Sequence, residues 1–376
     1  MKILINTRLL LKDRMDGIGI FICETLDLMC RQHPEHEFHF VFDRPYHPSF
    51  LFSKNVKAWV IPPQARHPFL YFLWFEISLP LLIRSIKPDI LVSPDGFLPT
   101  RPGTKSLMVI HDLNFEHYPA DLPWLTGKYL RFFFRQGAKR STHIATVSEF
   151  SKSDIVRLYQ IAPEKISVVY NGANIDYKPL DSDSILKTRE FYTNGAPYFL
   201  FIGTLHPRKN LVNLFRAFDL FRQKNPTSNT KLLIVGAKKW WTPEIASTYE
   251  HMKHKEEVIF TGRLSTSSLH HVLASALAMT YVSYFEGFGI PIIEAFSCDI
   301  PVITSNVTSM PEIAGDAALL CDPFDSVDIA RAMTRINNQP ELRQQLIEKS
   351  RIQREKFSWQ KTADLLWGAI EKTIQY

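Results

Sequence analysis

Short runs of β-branched and aromatic residues alternate with stretches of helical periodicity from one end of the chain to the other, and this alternation leaves few folds open. The runs predict strands at Lys2–Asn6, Glu37–Phe42, Lys57–Ile61, Asp89–Val92, Ser106–His111, His143–Val147 and Ile166–Tyr170. After a gap they resume at Tyr198–Ile202, Lys231–Val235, Val258–Phe260, Met279–Ser283, Pro301–Thr304 and Ala318–Cys321. Between them the spacing turns helical: Leu211, Leu214, Phe215 and Phe218 keep the i, i+3, i+4, i+7 pattern of one apolar face. Strand–helix units repeated in this way predict an α/β fold of doubly wound parallel sheets covered by helices on both faces.

The 376 residues exceed what one core of about 150–200 residues holds, so two domains are expected. The least structured stretch is Lys178 to Pro197, with Pro179, the polar run Asp181–Ser184 and the turn pair Asn194-Gly195. A linker at 181–196 separates a first domain, 1–180, from a second, 197–357. The last segment, 358–376, reads as a helix with Trp359, Ala363, Leu366, Ile370 and Ile374 on one face.

Apolar content of 45% with 22% charged residues excludes a disordered chain. The cysteines Cys23, Cys30, Cys298 and Cys321 are widely spread, with no Cys/His metal spacing, which points to reduced thiols and a cytoplasmic setting. The most apolar stretch, Phe69 to Ile83, is interrupted by Glu76 and Pro80 and is too short to span a bilayer. The net charge of +6 is uneven: Leu122 to Ser148 holds five basic residues and no acidic one. Lys128, Arg131, Arg135 and Lys139 follow helical spacing among Trp124, Tyr129 and Phe132–Phe134, a pattern that suits peripheral contact with an anionic membrane as well as a plain solvated face. Nucleic acid is not an expected partner, since no recognition module accompanies the charge.

Open parallel sheets bind ligands beyond the carboxyl ends of their strands, and three segments fall there. The first is Asp16-Gly17-Ile18-Gly19, where Gly17 and Gly19 at a helix entrance let backbone amides approach a phosphate or serve only a tight turn. The second runs from Gly203 to Asn210, where Arg208 and Lys209 would neutralise a diphosphate and Asn210 would cap the next helix. The third is Glu286-Gly287-Phe288-Gly289-Ile290-Pro291-Ile292-Ile293-Glu294. Its glycines free backbone amides, and Glu294 is expected in the first helical turn.

That third segment resembles the E-x7-E motif of retaining GT-B glycosyltransferases, specifically glycosyltransferase family 4. The likeness continues in HDLNFEHYP from His111, TVSEFS from Thr146, NGAN from Asn171, FTGRL from Phe260 and SWQKTA near the end. The resemblance implies the GT-B fold: two Rossmann-like domains facing across a cleft, an N-terminal acceptor domain, a C-terminal nucleotide-sugar domain and a final helix crossing back. It implies that Glu286 contacts the donor hexose and Glu294 the ribose, and that Gly287, Phe288 and Gly289 offer amides. Arg208 and Lys209 would bind the diphosphate, Gly203 would shape their loop, Gly262, Arg263 and Leu264 would lie against the base, and His111 would face the transferred sugar. One departure stands at Thr204, where many relatives carry arginine.

The implied activity is transfer with retention, without metal or other cofactor, from a nucleotide diphosphate sugar to a saccharide or lipid-linked saccharide. The wording around GTLHPRKN and SMPEIAGDAALL is closest to mannosyl- and rhamnosyl-transferring relatives that build surface polysaccharide, which favours GDP-mannose. The rival readings are a nucleotide-sugar epimerase of the same fold and a membrane-surface scaffold using the basic helix. Asp181-Ser182-Asp183 matches a metal-binding D-x-D pattern but falls in the expected linker. His33, His36 and His39 straddle a helix end and a strand, and alternation would leave them facing solvent rather than holding a metal.

Overall fold

The computed structural model describes residues 1–12, 15, 17–65 and 67–376, and its chain divides into two compact units. The first comprises Met1–Gly172 with Trp359–Tyr376, the second Ala173–Ser358.

The first unit is built on seven strands: β1 (Lys2–Asn6), β2 (Glu37–Phe42), β3 (Val56–Val60), β4 (Ile90–Ser93), β5 (Lys105–Ile110), β6 (His143–Thr146) and β7 (Ile166–Val168). All pair in parallel, in the order β3-β2-β1-β4-β5-β6-β7. The second unit has six: β8 (Tyr198–Ile202), β9 (Lys231–Val235), β10 (Val258–Gly262), β11 (Ala278–Tyr281), β12 (Val302–Ser305) and β13 (Leu319–Cys321). These are also parallel, in the order β10-β9-β8-β11-β12-β13. Every strand expected from the sequence is present, within two residues at each end. Central strands such as β8 and β11 are buried along their whole length, because helices cover both faces.

In each sheet the order reverses once, between β1 and β4 and between β8 and β11. Neighbouring loops diverge there to opposite faces, which opens a crevice at the carboxyl ends of the strands.

Two expectations about the connections are corrected. Residues expected as a linker form the helix Ser182–Thr193, packed in the second unit. Asp181, part of the D-x-D pattern, accepts the Ser184 N–H as its N-cap, and Asn194 closes it in the left-handed conformation. Polar residues read as a linker were a helix start signal. The Phe69–Ile83 stretch is not interrupted either: helical structure runs continuously from Pro68 to Ile86. Pro80, which has no N–H to give the helical ladder, stands directly behind a π-type turn at Trp74–Ser78, where that ladder shifts its register.

The C-terminal helix Trp359–Gln375 completes the first unit. Trp359, Ala363, Leu366 and Ile370 are buried as the spacing requires, and Thr362 donates to the Tyr170 carbonyl at 2.7 Å.

Candidate active site

The second unit's crevice is assembled by two loops from adjacent strands. After β8 the chain turns at Gly203 (φ +151°) and makes one tight turn, Pro207–Lys209, capped by the His206 ring accepting the Arg208 N–H. After β11 the segment Val282–Gly289 leads into the helix Ile290–Ser297. The Tyr284 N–H donates to the Arg208 carbonyl at 3.0 Å, and the Arg208 guanidinium donates to the Phe285 carbonyl at 3.1 Å.

At their meeting point Glu286 is buried and shared by both cations. One carboxylate oxygen lies 2.6 Å from an Arg208 nitrogen, the other 2.6 Å from Lys209 Nζ. The Lys209 ammonium also donates to the Tyr281 hydroxyl at 2.6 Å and sits 4.5 Å above that ring. Burial alone would raise the Glu286 pKa, but the charges of Arg208 and Lys209 and their hydrogen bonds outweigh it and hold it at about 2. Two cations against one anion leave net positive charge in a crevice, which suits a diphosphate. The Arg208 side chain is 25% exposed and that of Lys209 only 10%, so Arg208 is the cation an entering ligand reaches first.

The glycines of the two loops differ in backbone geometry. Gly289 (φ +106°) occupies the N-cap position of the helix Ile290–Ser297, a left-handed conformation that favours glycine. The Phe288 ring is buried edge-on against Phe357, so only its backbone is available for a ligand. Ser309 fixes this loop, its hydroxyl lying 2.9 Å from the Glu286 carbonyl and 3.0 Å from that of Phe288. Gly262 (φ +73°) ends β10 with open space at its α-carbon, beside exposed Arg263 and partly buried Leu264.

Two helix-start expectations are corrected. Asn210 stands at the N-cap of the helix Leu211–Lys224 but makes no capping bond; held in the left-handed conformation (φ +61°), it donates instead to the Val282 and Pro323 carbonyls at 2.9 and 2.6 Å. Glu294 lies one turn inside its helix rather than in the first turn, since the helix begins at Ile290. Burial pushes its carboxyl up to about 7.

Two models of known families match the chain: "Glycosyltransferase Family 4" over residues 15–177 and "Glycosyl transferases group 1" over residues 186–353. The chain belongs to glycosyltransferase family 4. It is 29% identical over 279 residues to the O-antigen chain mannosyltransferase B of Escherichia coli, covering 74% of this chain and 73% of that one. It is 28% identical over 273 residues to the O-antigen chain mannosyltransferase RfbU of Salmonella typhimurium, covering 73% and 71%. Its fold is similar to that of Anabaena Alr3699/HepE, solved in complex with UDP and glucose: TM-score 0.76, 14% identity and 99% of each chain covered.

The first unit of this family 4 chain repeats the arrangement at its own reversal point. Arg8, just past β1, and Asp95, just past β4, form a buried ion pair at 2.6 Å. The Arg8 guanidinium also donates to the Tyr71 hydroxyl at 2.9 Å and lies 4.6 Å over that ring. His111 follows β5; its Nε2 lies 2.8 Å from the Pro94 carbonyl, which can only accept, so this nitrogen carries the proton. Its ring meets Phe21 edge-on at 5.0 Å. Gly17 and Gly19 open the helix Gly17–Gln32; a Cβ at Gly19 would stand 3.0 Å from the Leu9 carbonyl, whereas Gly17 has open space. Asp16 lies outside the described residues.

Sequence reasoning missed Arg8, Asp95, Tyr281, Ser309 and Gly236. Gly236 ends β9, and a Cβ there would fall 1.9 Å from the Gly203 carbonyl oxygen. The available signal was position: each follows or ends a strand of the two sheets.

Histidines expected to face solvent do not all do so. His39 is buried on β2, accepting the Trp59 indole N–H at 3.0 Å, because the helices cover that face as well. The His33 and His36 rings stack on Trp367 of the C-terminal helix at 3.5 and 5.2 Å. With Glu35 they bring ligand-type atoms within 4.8 Å of one another, the one such group among the described residues, in the turn between the helix Gly17–Gln32 and the start of β2 rather than beyond a strand's carboxyl end.

Proposed function

We propose that this chain moves a mannosyl group from GDP-mannose onto a saccharide or lipid-linked saccharide acceptor of a surface polysaccharide, with retention at the anomeric carbon and without a metal. The observation that carries the reading is the Arg208–Glu286–Lys209 cluster at the reversal point of the second sheet. The mannosyltransferase relatives support the choice of sugar and polymer.

In this reading the leaving diphosphate takes up charge that Arg208 and Lys209 supply, an electrostatic contribution rather than a proton transfer. Glu286 positions the cations and the hexose. It is a poor nucleophile as held here, because both oxygens are committed to cations and its basicity is low. Gly287, Phe288 and Gly289 offer backbone amides, Glu294 receives the ribose, and Gly262, Arg263 and Leu264 flank the base. The protonated Nε2 of His111 is tied to Pro94, which fixes the ring, and the family resemblance supports a role for His111 as a contact for the transferred sugar.

The test is thermal unfolding with GDP, UDP, dTDP and ADP, each with a chelator present. Ligand at about 100 times its dissociation constant stabilises the fold by roughly 2.7 kcal/mol. Stabilisation by GDP alone supports the reading, as does GDP-mannose turnover giving an α-linked product. Stabilisation by a different nucleotide replaces the donor, and dependence on added divalent metal rejects the metal-free mechanism.

A further inference from the structure

The first unit carries an outer surface that donor chemistry does not use. The helical run Pro68–Ile86 is 19 residues long with mean hydropathy 1.5, and its inner side, including Trp74, Leu79, Ile83 and Ile86, is buried in the unit's core. A surface helix normally turns polar residues outward. Here Phe69 (63% exposed), Phe72, Ile77 and Leu81 (58%) face out instead. Phe72 and Ile77 are five apart, and the π-type turn at Trp74–Ser78, closed by the Leu79 N–H onto the Trp74 carbonyl, is what keeps them on one side.

Beside this run lies the helix Trp124–Arg140. Tyr71 from one helix and Tyr129 from the other meet at 6.1 Å, with Phe97 packed against both. The second helix buries Gly127, Phe134, Gly137 and Ala138, and turns Trp124 (69% exposed), Leu125, Lys128, Phe132, Arg135 and Lys139 outward. Lys128 Nζ sits 3.9 Å over the Trp124 ring. Arg131, which the sequence grouped with these cations, folds back toward the Gly127 carbonyl and is partly buried. Where the apolar run ends, Arg84, Lys87 and Arg101 surround a cleft of about 450 Å³ whose lining contains no acidic residue.

We propose that these two helices dock the first unit on an anionic lipid bilayer, with Phe69, Phe72, Ile77, Leu81 and Trp124 entering the interface and the cations meeting lipid phosphates. The charge selects the occupant. A second copy of the chain docked through this face by a two-fold contact would gather Lys128, Arg135 and Lys139 from both copies in one interface, like charge with like. A bilayer accepts aromatic and aliphatic tips and rewards each cation by about 1 kcal/mol. The buried inner side of Pro68–Ile86 keeps the helix on the protein, lying along the surface rather than crossing. The inference does not depend on which donor the second unit binds.

Flotation of the full chain with vesicles tests it, using phosphatidylcholine alone and phosphatidylcholine mixed with phosphatidylglycerol. The expected result is binding to the mixed vesicles and little to the neutral ones. Lys128→Ala/Arg135→Ala weakens it by roughly 30-fold, from about 1 kcal/mol per cation, and Phe69→Ser/Leu81→Ser abolishes it. Unfolding midpoints within a degree or two of the parent show that these surface variants fold, and they are read without nucleotide, so failure here is separate from failure of the donor reading. Absence of binding to mixed vesicles, equal binding to both kinds, variants that bind like the parent, or a dimer dissociated by Phe69→Ser/Leu81→Ser would each overturn the proposal.

Discussion

Lys209 and Glu286, 77 residues apart in sequence, meet at 2.6 Å where β8 and β11 end side by side. The pair ties the two loops of the proposed donor site into one object, so the two side chains have separable effects. On the proposed reading Lys209→Ala removes a charge-assisted contact to the diphosphate, and GDP affinity is expected to fall roughly 10- to 100-fold, taking about 1.5–3 kcal/mol for such a bond. Glu286→Gln removes the competing negative charge, so GDP affinity holds or rises while transfer collapses. Titration calorimetry with GDP beside a transfer assay separates the two. A Glu286→Gln variant that loses GDP binding in a folded sample would show that the carboxylate only organises the loops.

The two carboxyls of the E-x7-E segment titrate in opposite directions. Burial raises Glu294 to about 7, so the folded chain holds a proton that the unfolded chain releases near pH 4.3. Its contribution is full below that point and declines by roughly 1.4 kcal/mol per pH unit until the pH passes 7. Glu286 is depressed to about 2, so its contribution is present above about pH 4.3 and disappears as the pH falls toward 2. Urea unfolding at a series of pH values is expected to show Glu294→Gln flattening the decline between about pH 5 and 7 while leaving the acid limb unchanged.

Ser309 touches the E-x7-E loop only through its carbonyls, which makes it a positioning residue. Ser309→Ala deletes the hydroxyl that lies against Glu286 and Phe288 and is expected to cost about 1–2 kcal/mol in a buried setting. The donor KM rises, and the change is not rescued by Ser309→Thr if the added methyl has no room. A variant with normal stability and a normal donor KM would remove Ser309 from the site.

Much of this was legible in the sequence because the signals were local. The buried strands declare themselves by continuous apolar runs, and Gly203, Arg208, Lys209, Gly287 and Gly289 stand where a loop leaves such a run. What escaped was long-range. Nothing in Tyr281 or Ser309 alone indicates that one meets a lysine 72 residues earlier or that the other holds a loop 21 to 23 residues earlier. Arg8 and Asp95 become partners only through the pairing of β1 with β4. Asn210 shows the reverse case: its residue type suggests a cap, but two carbonyls of the folded unit outcompete the helix amides for the side chain. The polar Asp181–Ser184 run was ambiguous because helix caps and linkers use the same residues.

Gly203, Gly236 and Gly262 end the adjacent strands β8, β9 and β10, all with φ in the region that favours glycine, yet they predict different costs. At Gly262 a Cβ meets open space, so Gly262→Ala is expected to lose only the conformational preference, about 1 kcal/mol. At Gly236 the same methyl lands 1.9 Å from a backbone oxygen of Gly203, and neither partner is a flexible side chain that can swing aside. Gly236→Ala must therefore push β8 and β9 apart at the mouth of the crevice, with a loss of about 3 kcal/mol or more expected from strain and overpacking together. Because the displaced backbone belongs to the loop that carries Arg208 and Lys209, the substitution is also expected to lower GDP affinity, whereas Gly262→Ala is expected to affect it only through the proposed contact with the base. Urea unfolding and GDP titration on the two variants check both parts, and equal stability losses would refute the close approach of Gly236 to Gly203.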